Sequence, residues 1–407
     1  MDLSALASDY IRKFGFFKKA QIGTEPSPDL RVSVVIPAYF EDLSDTLQSL
    51  SMCKVQQPAQ FEVIMVLNHS EKAPQHIREY HEKQFKQKVT QLENGIPVYW
   101  IPAFELPAKH SGVGLARKIG MDEALLRFEK SGHNGLIVCL DGDCTVSVNY
   151  LQSLLEAEKI GYNGLSIYYE HPLQKEEGEV LDAIVDYEIF LRYYSLGLRE
   201  TGYPFYFQTV GSSMAARASA YIKAGGMNKR KAGEDFYFLH RIFPQGRFTH
   251  WPHCTVYPSA RSSERVPFGT GKAMIACLEG QKDYSRVYNP RLFEELKNWF
   301  GDLPAIYNIK EEEWPPGVLS FLENNNCKNE LRDLTLRSND ALQFRRNFYF
   351  WMDGFRIMKF LNGNHQDFRD QKHTEACAQL LGTNASDARE LITELRRVEK
   401  ERPVTYL

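Results

Sequence analysis

The sequence predicts an α/β protein, with a doubly wound, mostly parallel sheet followed by a helical C-terminal region. Three observations carry this expectation. The apolar run at 136–140 is unbroken, and those at 32–36 and 61–67 are interrupted only by Ser33 and Glu62, as in strands buried on both faces. The segments 42–50 and 72–90 have helical character and make strand, helix, strand units, which build parallel sheets with right-handed crossovers. From about Asn289 onward the pattern turns helical and polar.

In chain order, residues 1–30 begin with an amphipathic pattern (Leu3, Leu6, Tyr10, Ile11, Phe14, Phe17) and end in a proline-bearing stretch, Gly23 to Asp29. A helix packed on the domain and then a linker are expected, although Lys13, Lys18 and Lys19 beside the phenylalanines also suit peripheral contact with a membrane surface. The first strand starts at Arg31 and is stopped by Pro37, with Leu43, Leu47 and Leu50 on the helix behind it. A second strand covers 61–68, a polar helix 72–90 and a third strand 97–101. After a helix over 118–128 comes the fourth strand, 136–140. A helix near 149–160, a strand over 164–169 and a long helix over 178–198 follow. Small residues in 209–217 mark a strand that something approaches closely. The aromatic segment 344–355 is apolar nearly all round and is expected to bury against the preceding domain. The expected divisions are 1–30, 31–288 and 289–407.

With 407 residues, 43% hydrophobic and 25% charged, the chain suits one large domain plus an appendage, or two domains. A net charge of −3 advertises no basic face and argues against nucleic acid as a partner. The seven cysteines are scattered and lack Cys-x-x-Cys spacing, which fits neither a disulfide framework nor a zinc knuckle and points to a reducing compartment. No apolar run reaches the roughly 18 residues of a membrane span. A cytoplasmic protein is expected, at most peripheral to the inner face of the membrane.

The chemistry concentrates at Leu140-Asp141-Gly142-Asp143. Two carboxylates separated by one glycine, at the C-terminal end of a buried strand, suit a hard divalent cation that keeps sites free for phosphate oxygens. A plain acidic turn capping the strand is the alternative. Upstream, Gly112 and Gly114 at a helix start, with Lys109 and Arg117, can present backbone N–H groups and charge to an anion. Neither a third glycine for a dinucleotide fingerprint nor a phosphate-loop motif is present. Glu234 and Asp235 open another helix, where acids serve either as dipole partners or as a base. His250 and His253 are each structural residues or ligands. Arg261 and Arg265, in a loop rich in glycine and serine, form an anion clamp or ordinary surface.

Taken together and in order, Val34-Val-Ile-Pro-Ala-Tyr39, Lys109 to Arg117, Leu140-Asp-Gly-Asp143, Gly211-Ser-Ser-Met-Ala-Ala-Arg217, Gly225-Gly-Met227 and Gly233-Glu-Asp-Phe-Tyr-Phe-Leu239 resemble a family 2 glycosyltransferase of the GT-A fold. The resemblance covers about residues 31–272. It implies a nucleotide-sugar donor, UDP- or GDP-linked, and a hydroxyl acceptor whose identity it leaves open. It also implies Mg²⁺ or Mn²⁺ held by Asp141 and Asp143, with His250 or His253 as a further ligand. Pro37, Ala38, Tyr39 and Glu41 match the loop around the nucleoside, and Lys109 the position that contacts the base. Gly112, Arg117, Gly142, Gly211 and Ser212 fall within the donor-binding motifs. Arg261 and Arg265 match a loop closing on the donor phosphates. Asp235 matches the family's catalytic base, with Glu234 as its neighbour, and an inverting displacement follows. Asn68 is a departure, standing where the family often has an aspartate that reads the base; an amide can both donate and accept there.

Other readings remain open at this level. A retaining transferase could carry similar motifs. A nucleotidyltransferase would need an activating glycine- and lysine/arginine-rich loop on its first strand, which 32–39 lacks. A binding protein without turnover would not need both acid pairs.

Overall fold

The computed structural model describes residues 3–263, 269–301, 315–363 and 368–401. They fall into two units, the first drawn from 1–175 and 209–272, the second from 176–208 and 273–402.

In the first unit the strands form where the apolar runs predict them. Strand β1 (Val32–Ala38) is buried throughout, and β2 (Phe61–Ser70) nearly so. Next in the chain come helix α3 (Gln75–Lys86), β3 (Val98–Leu106), helix α4 (Val113–Ser131), β4 (Leu136–Cys139) and β5 (Thr145–Val146). Beyond them are helix α5 (Tyr150–Ile160), β6 (Gly164–Tyr169), β7 (Met214–Arg217), helix α7 (Ala218–Lys223), helix α8 (Glu234–Ile242) and β8 (Phe248–Tyr257), with α6 (Gly178–Glu200) in the second unit. Helix α1 (Leu3–Phe14) precedes the sheet, and α2 (Ser44–Ser51) follows β1.

The eight strands lie in the order β3-β2-β1-β4-β7-β6-β8-β5. Pairs β1/β2, β2/β3, β1/β4 and β6/β8 are parallel; β4/β7, β6/β7 and β5/β8 are antiparallel. The class is therefore α/β, and the sheet is mixed, with β5 and β7 running against the other six. After β1 the chain moves outward to β2 and β3, and α4 then returns it to β4 on the opposite side of β1. Ligands of such sheets bind at the point of that reversal, outside the C-terminal ends of β1 and β4.

Two boundaries differ from the sequence expectation for physical reasons. Pro37 does not stop β1: the ladder with β4 runs only from Val32 to Val35, so the missing N–H of Pro37 falls beyond the last β4 pairing. Helix α4 begins at Val113, so Gly114 and Arg117 lie inside it. It packs closely on the sheet at Gly120, where a Cβ would stand 2.4 Å from Val35 Cγ1.

Helix α1 is pinned to α4. Tyr10 Oη and Tyr221 Oη both donate to Asp122 Oδ1, at 2.9 and 2.7 Å, and Lys118 Nζ donates to Tyr10 Oη at 2.7 Å.

The second unit is built on helix α6 (Gly178–Glu200). The helix Ala388–Glu401 packs on it, and a buried network joins Arg192 to Glu188 and Glu399, with Arg396 Nε on Glu188 at 2.7 Å. The aromatic segment expected to bury against the preceding domain packs inside this unit, with Phe348 against Trp299 and Phe300. No helix among the described residues is long and apolar enough to cross a membrane.

Candidate functional site

The turn after β4 carries Asp141 and Asp143. Leu140 N–H still donates to Val35 O, and Cys144 N–H donates to Asp141 O at 3.1 Å, so the chain turns sharply as the strand ends. Thr46 Oγ1, from α2, donates to Gly142 O at 2.7 Å and anchors the turn. Gly142 is needed here because a Cβ would meet Leu43 Cδ2 at 2.7 Å and Glu41 Oε1 at 2.8 Å. The loop leaving β1 thus lies against the turn leaving β4.

Two arginines join these carboxylates to the rest of the site. Arg117, in the first turns of α4, donates one terminal nitrogen to Asp141 Oδ1 and the other to Glu234 Oε1. Its side chain is 4% exposed. Burial alone would lower its pKa, but the carboxylates of Asp141 and Glu234 outweigh it and hold the guanidinium charged. Arg261 donates through Nε to Asp143 Oδ2 at 2.8 Å and through Nη2 to Glu41 Oε2 at 2.7 Å. Arg265, the other expected clamp residue, lies outside the described residues.

Glu234 and Asp235 open α8 after Gly233, whose φ of 66° requires glycine. Glu234 is buried, and burial raises its pKa to about 7 against the opposing pull of Arg117, with Asp235 adding repulsion. Asp235 is half-buried, accepts from Phe236 N–H at 2.8 Å, and is likewise raised by burial. The two titrate as a pair. Among the described residues no arginine or lysine forms a salt bridge with Asp235.

The glycines at the start of α4 serve close packing. A Cβ on Gly114 would stand 2.2 Å from Arg230 O, and one on Gly112 would stand 3.2 Å from Lys231 Cα, so the segment leading into α8 lies directly on them. Gly211 lies against the Arg117 guanidinium. Ser212 is buried beside it, and the Cys144 thiol donates to Asp143 Oδ1 at 3.7 Å.

Pro37 and Ala38 are buried in β1, Tyr39 follows at its C-terminal end, and Asn68 is buried near the end of β2. Lys109 is exposed in the turn after β3. His250 is buried in β8 beside the Tyr168 ring, whereas His253 is exposed and packs on Trp251. Among the described residues no three His, Cys, Asp or Glu side chains are grouped to hold a cation. The two aspartates remain a suitable pair of hard oxygen donors, with side chains 34% and 30% exposed, for a cation that takes its other ligands from phosphate.

Sequence reasoning missed the contribution of α3. His81 Nε2 accepts from Phe40 N–H at 2.9 Å, and Tyr80 Oη and Gln84 Nε2 donate to Glu41 O at 2.9 and 3.1 Å. The crowding of His69, His76 and His81 into thirteen positions was the available signal.

No protein-family model matches the chain, and none of the curated proteins does. Among solved structures, similarity is found to residues 1–349 of S. aureus TarS in complex with UDP-GlcNAc, at 14% identity and a TM-score of 0.40, covering 81% of this chain and 92% of that one. It is also found to the mannosyltransferase PcManGT from Pyrobaculum calidifontis in complex with GDP-Man and Mn²⁺, at 13% identity and a TM-score of 0.37, covering 98% of each chain. At such identities and overlaps the likeness assigns neither substrate nor mechanism.

Proposed function

We propose that the chain is a GT-A-type glycosyltransferase that moves a sugar from a nucleoside-diphosphate donor to an acceptor hydroxyl with inversion. One observation carries the reading. The β1 loop, the Asp141–Asp143 turn and the start of α8 meet at the sheet's switch point and are tied together there by Arg117 and Arg261. The Asp141–Asp143 carboxylates, two arginines and the Glu234–Asp235 pair are thereby gathered in one place, which supports the reading.

In this reading Pro37, Ala38 and Tyr39 line the nucleoside and Asn68 reads its base. Asp141 and Asp143 hold Mg²⁺ or Mn²⁺, which supplies Lewis-acid neutralisation of the charge on the leaving diphosphate. Arg117 fixes Asp141 and Glu234 in one frame. Asp235 is then the base, because Arg117 hydrogen-bonds Glu234 and reaches Asp235 only through its field, with no arginine or lysine among the described residues in a salt bridge with Asp235. Its raised pKa makes it a stronger proton acceptor for the attacking hydroxyl. That hydroxyl attacks the anomeric carbon opposite the diphosphate, the C–O bond to phosphate breaks, and the proton goes to Asp235.

The test is a thermal-shift panel of UDP-, GDP-, dTDP- and CMP-sugars with and without Mn²⁺, followed by transfer assays on Asp143→Ala and Asp235→Asn. A Mn²⁺-dependent shift that Asp143→Ala removes, and donor binding without transfer in Asp235→Asn, are expected. Absence of any sugar-nucleotide shift rejects the function; transfer by Asp235→Asn moves the base elsewhere.

A further inference from the structure

The loop that carries Glu41 into the site holds a backbone conformation it would not adopt unaided. Phe40 has φ of 47°, in the left-handed region that a bulky residue rarely adopts. One face of α3 holds it there. His76 and Tyr80 pack edge-on against the Phe40 ring at 5.4 and 5.0 Å, His81 accepts the Phe40 N–H, and Tyr80 and Gln84 donate to the next carbonyl, Glu41 O. These four positions repeat at helical spacing along one side of α3.

His81 is itself fixed. Its Nδ1 lies 3.0 Å from His69 Nδ1, and both rings are fully buried. His69 stacks on Phe104 at 4.5 Å, and its Nε2 faces Glu105 Oε1 at 3.5 Å. Glu105 is also left-handed, with φ of 56°, and is paired with Arg78. The network assigns the tautomers. An Nε2 that accepts from Phe40 carries no proton, so neutral His81 is protonated on Nδ1 and donates to His69. His69 then carries its proton on Nε2, toward Glu105.

We propose that His81 is a positioning residue: through the Phe40 N–H and the tautomer chain from Glu105, it sets the backbone that aims Glu41 at Arg261 and Gly142. The inference rests on the donor-site reading above for its functional consequence. Burying two imidazoles where two phenyl rings would pack is explained by the one thing phenyl rings cannot do, which is to accept the Phe40 N–H in a defined direction. Glu41 in turn shares Arg261 with Asp143, so the brace reaches the Asp141–Asp143 turn in two contacts.

The test compares His81→Phe, His81→Gln and Tyr80→Phe with the wild-type chain. Amide hydrogen exchange across 39–42 and sugar-nucleotide affinity are the two readouts. Glutamine can place its Oε1 where Nε2 stands and keep the acceptor; phenylalanine cannot. His81→Phe is expected to lose protection at Phe40 and to bind the donor about tenfold more weakly, the equivalent of one directed hydrogen bond and its strain. His81→Gln restores both. Tyr80→Phe, which removes only the donor to Glu41 O, gives a loss of about threefold, and if His81→Phe does not fold, protection at Phe40 in His81→Leu, which also lacks the acceptor, decides the matter. Unchanged protection at Phe40 in a folded His81→Phe overturns the proposal. So does lost protection with donor affinity intact. A wild-type chain that binds no sugar nucleotide overturns the functional reading instead, and the exchange comparison still decides whether His81 holds the loop.

Discussion

Gly211 lies against the Arg117 guanidinium so closely that a Cβ there would stand 2.5 Å from Nη1 and 2.6 Å from Nη2. The backbone of one residue therefore forms a wall of the slot in which the other bridges Asp141 and Glu234. The guanidinium cannot retreat without giving up a carboxylate.

Gly211→Ala should accordingly displace the bridge. Its backbone is outside the left-handed region, so the cost is one of contact, about 1–3 kcal/mol as for other overpacked sites. Transfer should fall further than stability, because Asp141 and Glu234 lose their shared cation. Gly23→Ala, where a Cβ meets nothing, is the control. Urea denaturation and a transfer assay on the pair make the measurement, and a fully active Gly211→Ala would show that the bridge is dispensable.

The acid limb of the pH–rate profile reports the carboxylate pair. A base must be deprotonated, so rate is lost as pH falls through its pKa. Burial raises both acids, Glu234 to about 7, and Arg117 only partly offsets it. The limb should lie above the usual value of about 4 for a carboxylate. Profiles of kcat/KM from pH 4 to 9 test this; a limb near 4 would remove the pair from the proton transfer.

Stability should fall in acid through His81. Burial first, and the neighbouring His69 second, lower its pKa to about 4 from 6.5. The unfolded chain takes up the proton first, so this contribution is complete above pH 6.5 and is lost as pH falls from 6.5 to 4, a change of about 3 kcal/mol. His69 is lowered as well, mainly by burial, and acts in the same direction. Denaturant midpoints measured across that window should decline for the wild type and decline less for His81→Gln. Equal slopes would place the acid sensitivity elsewhere.

Much of the scaffold can be read from local pattern. Apolar runs such as 61–68 and 136–140 can satisfy neither a surface helix nor a loop, so β2 and β4 stand where those runs predict them. Pattern carries no direction, however. Nothing in the small residues of 214–217 says that β7 enters between β4 and β6 antiparallel to both. The acids at 141, 143, 234 and 235 announce themselves by type and by their place at element ends. Their partners do not, since Arg117 and Glu234 are 117 residues apart and a lone arginine after two glycines reads equally as an anion cradle.

What the sequence alone determined, then, is the α/β class, the buried strands and the residue types offered at their ends, because hydrophobic periodicity and strand-end chemistry are local properties. Only the tertiary structure decided which cation faces which carboxylate and that a polar helix holds the Phe40 backbone in a left-handed turn. Those choices are made by side chains meeting across the sheet's switch point, where the strand order and the packing of α3 and α4 fix distances that spacing along the chain does not encode.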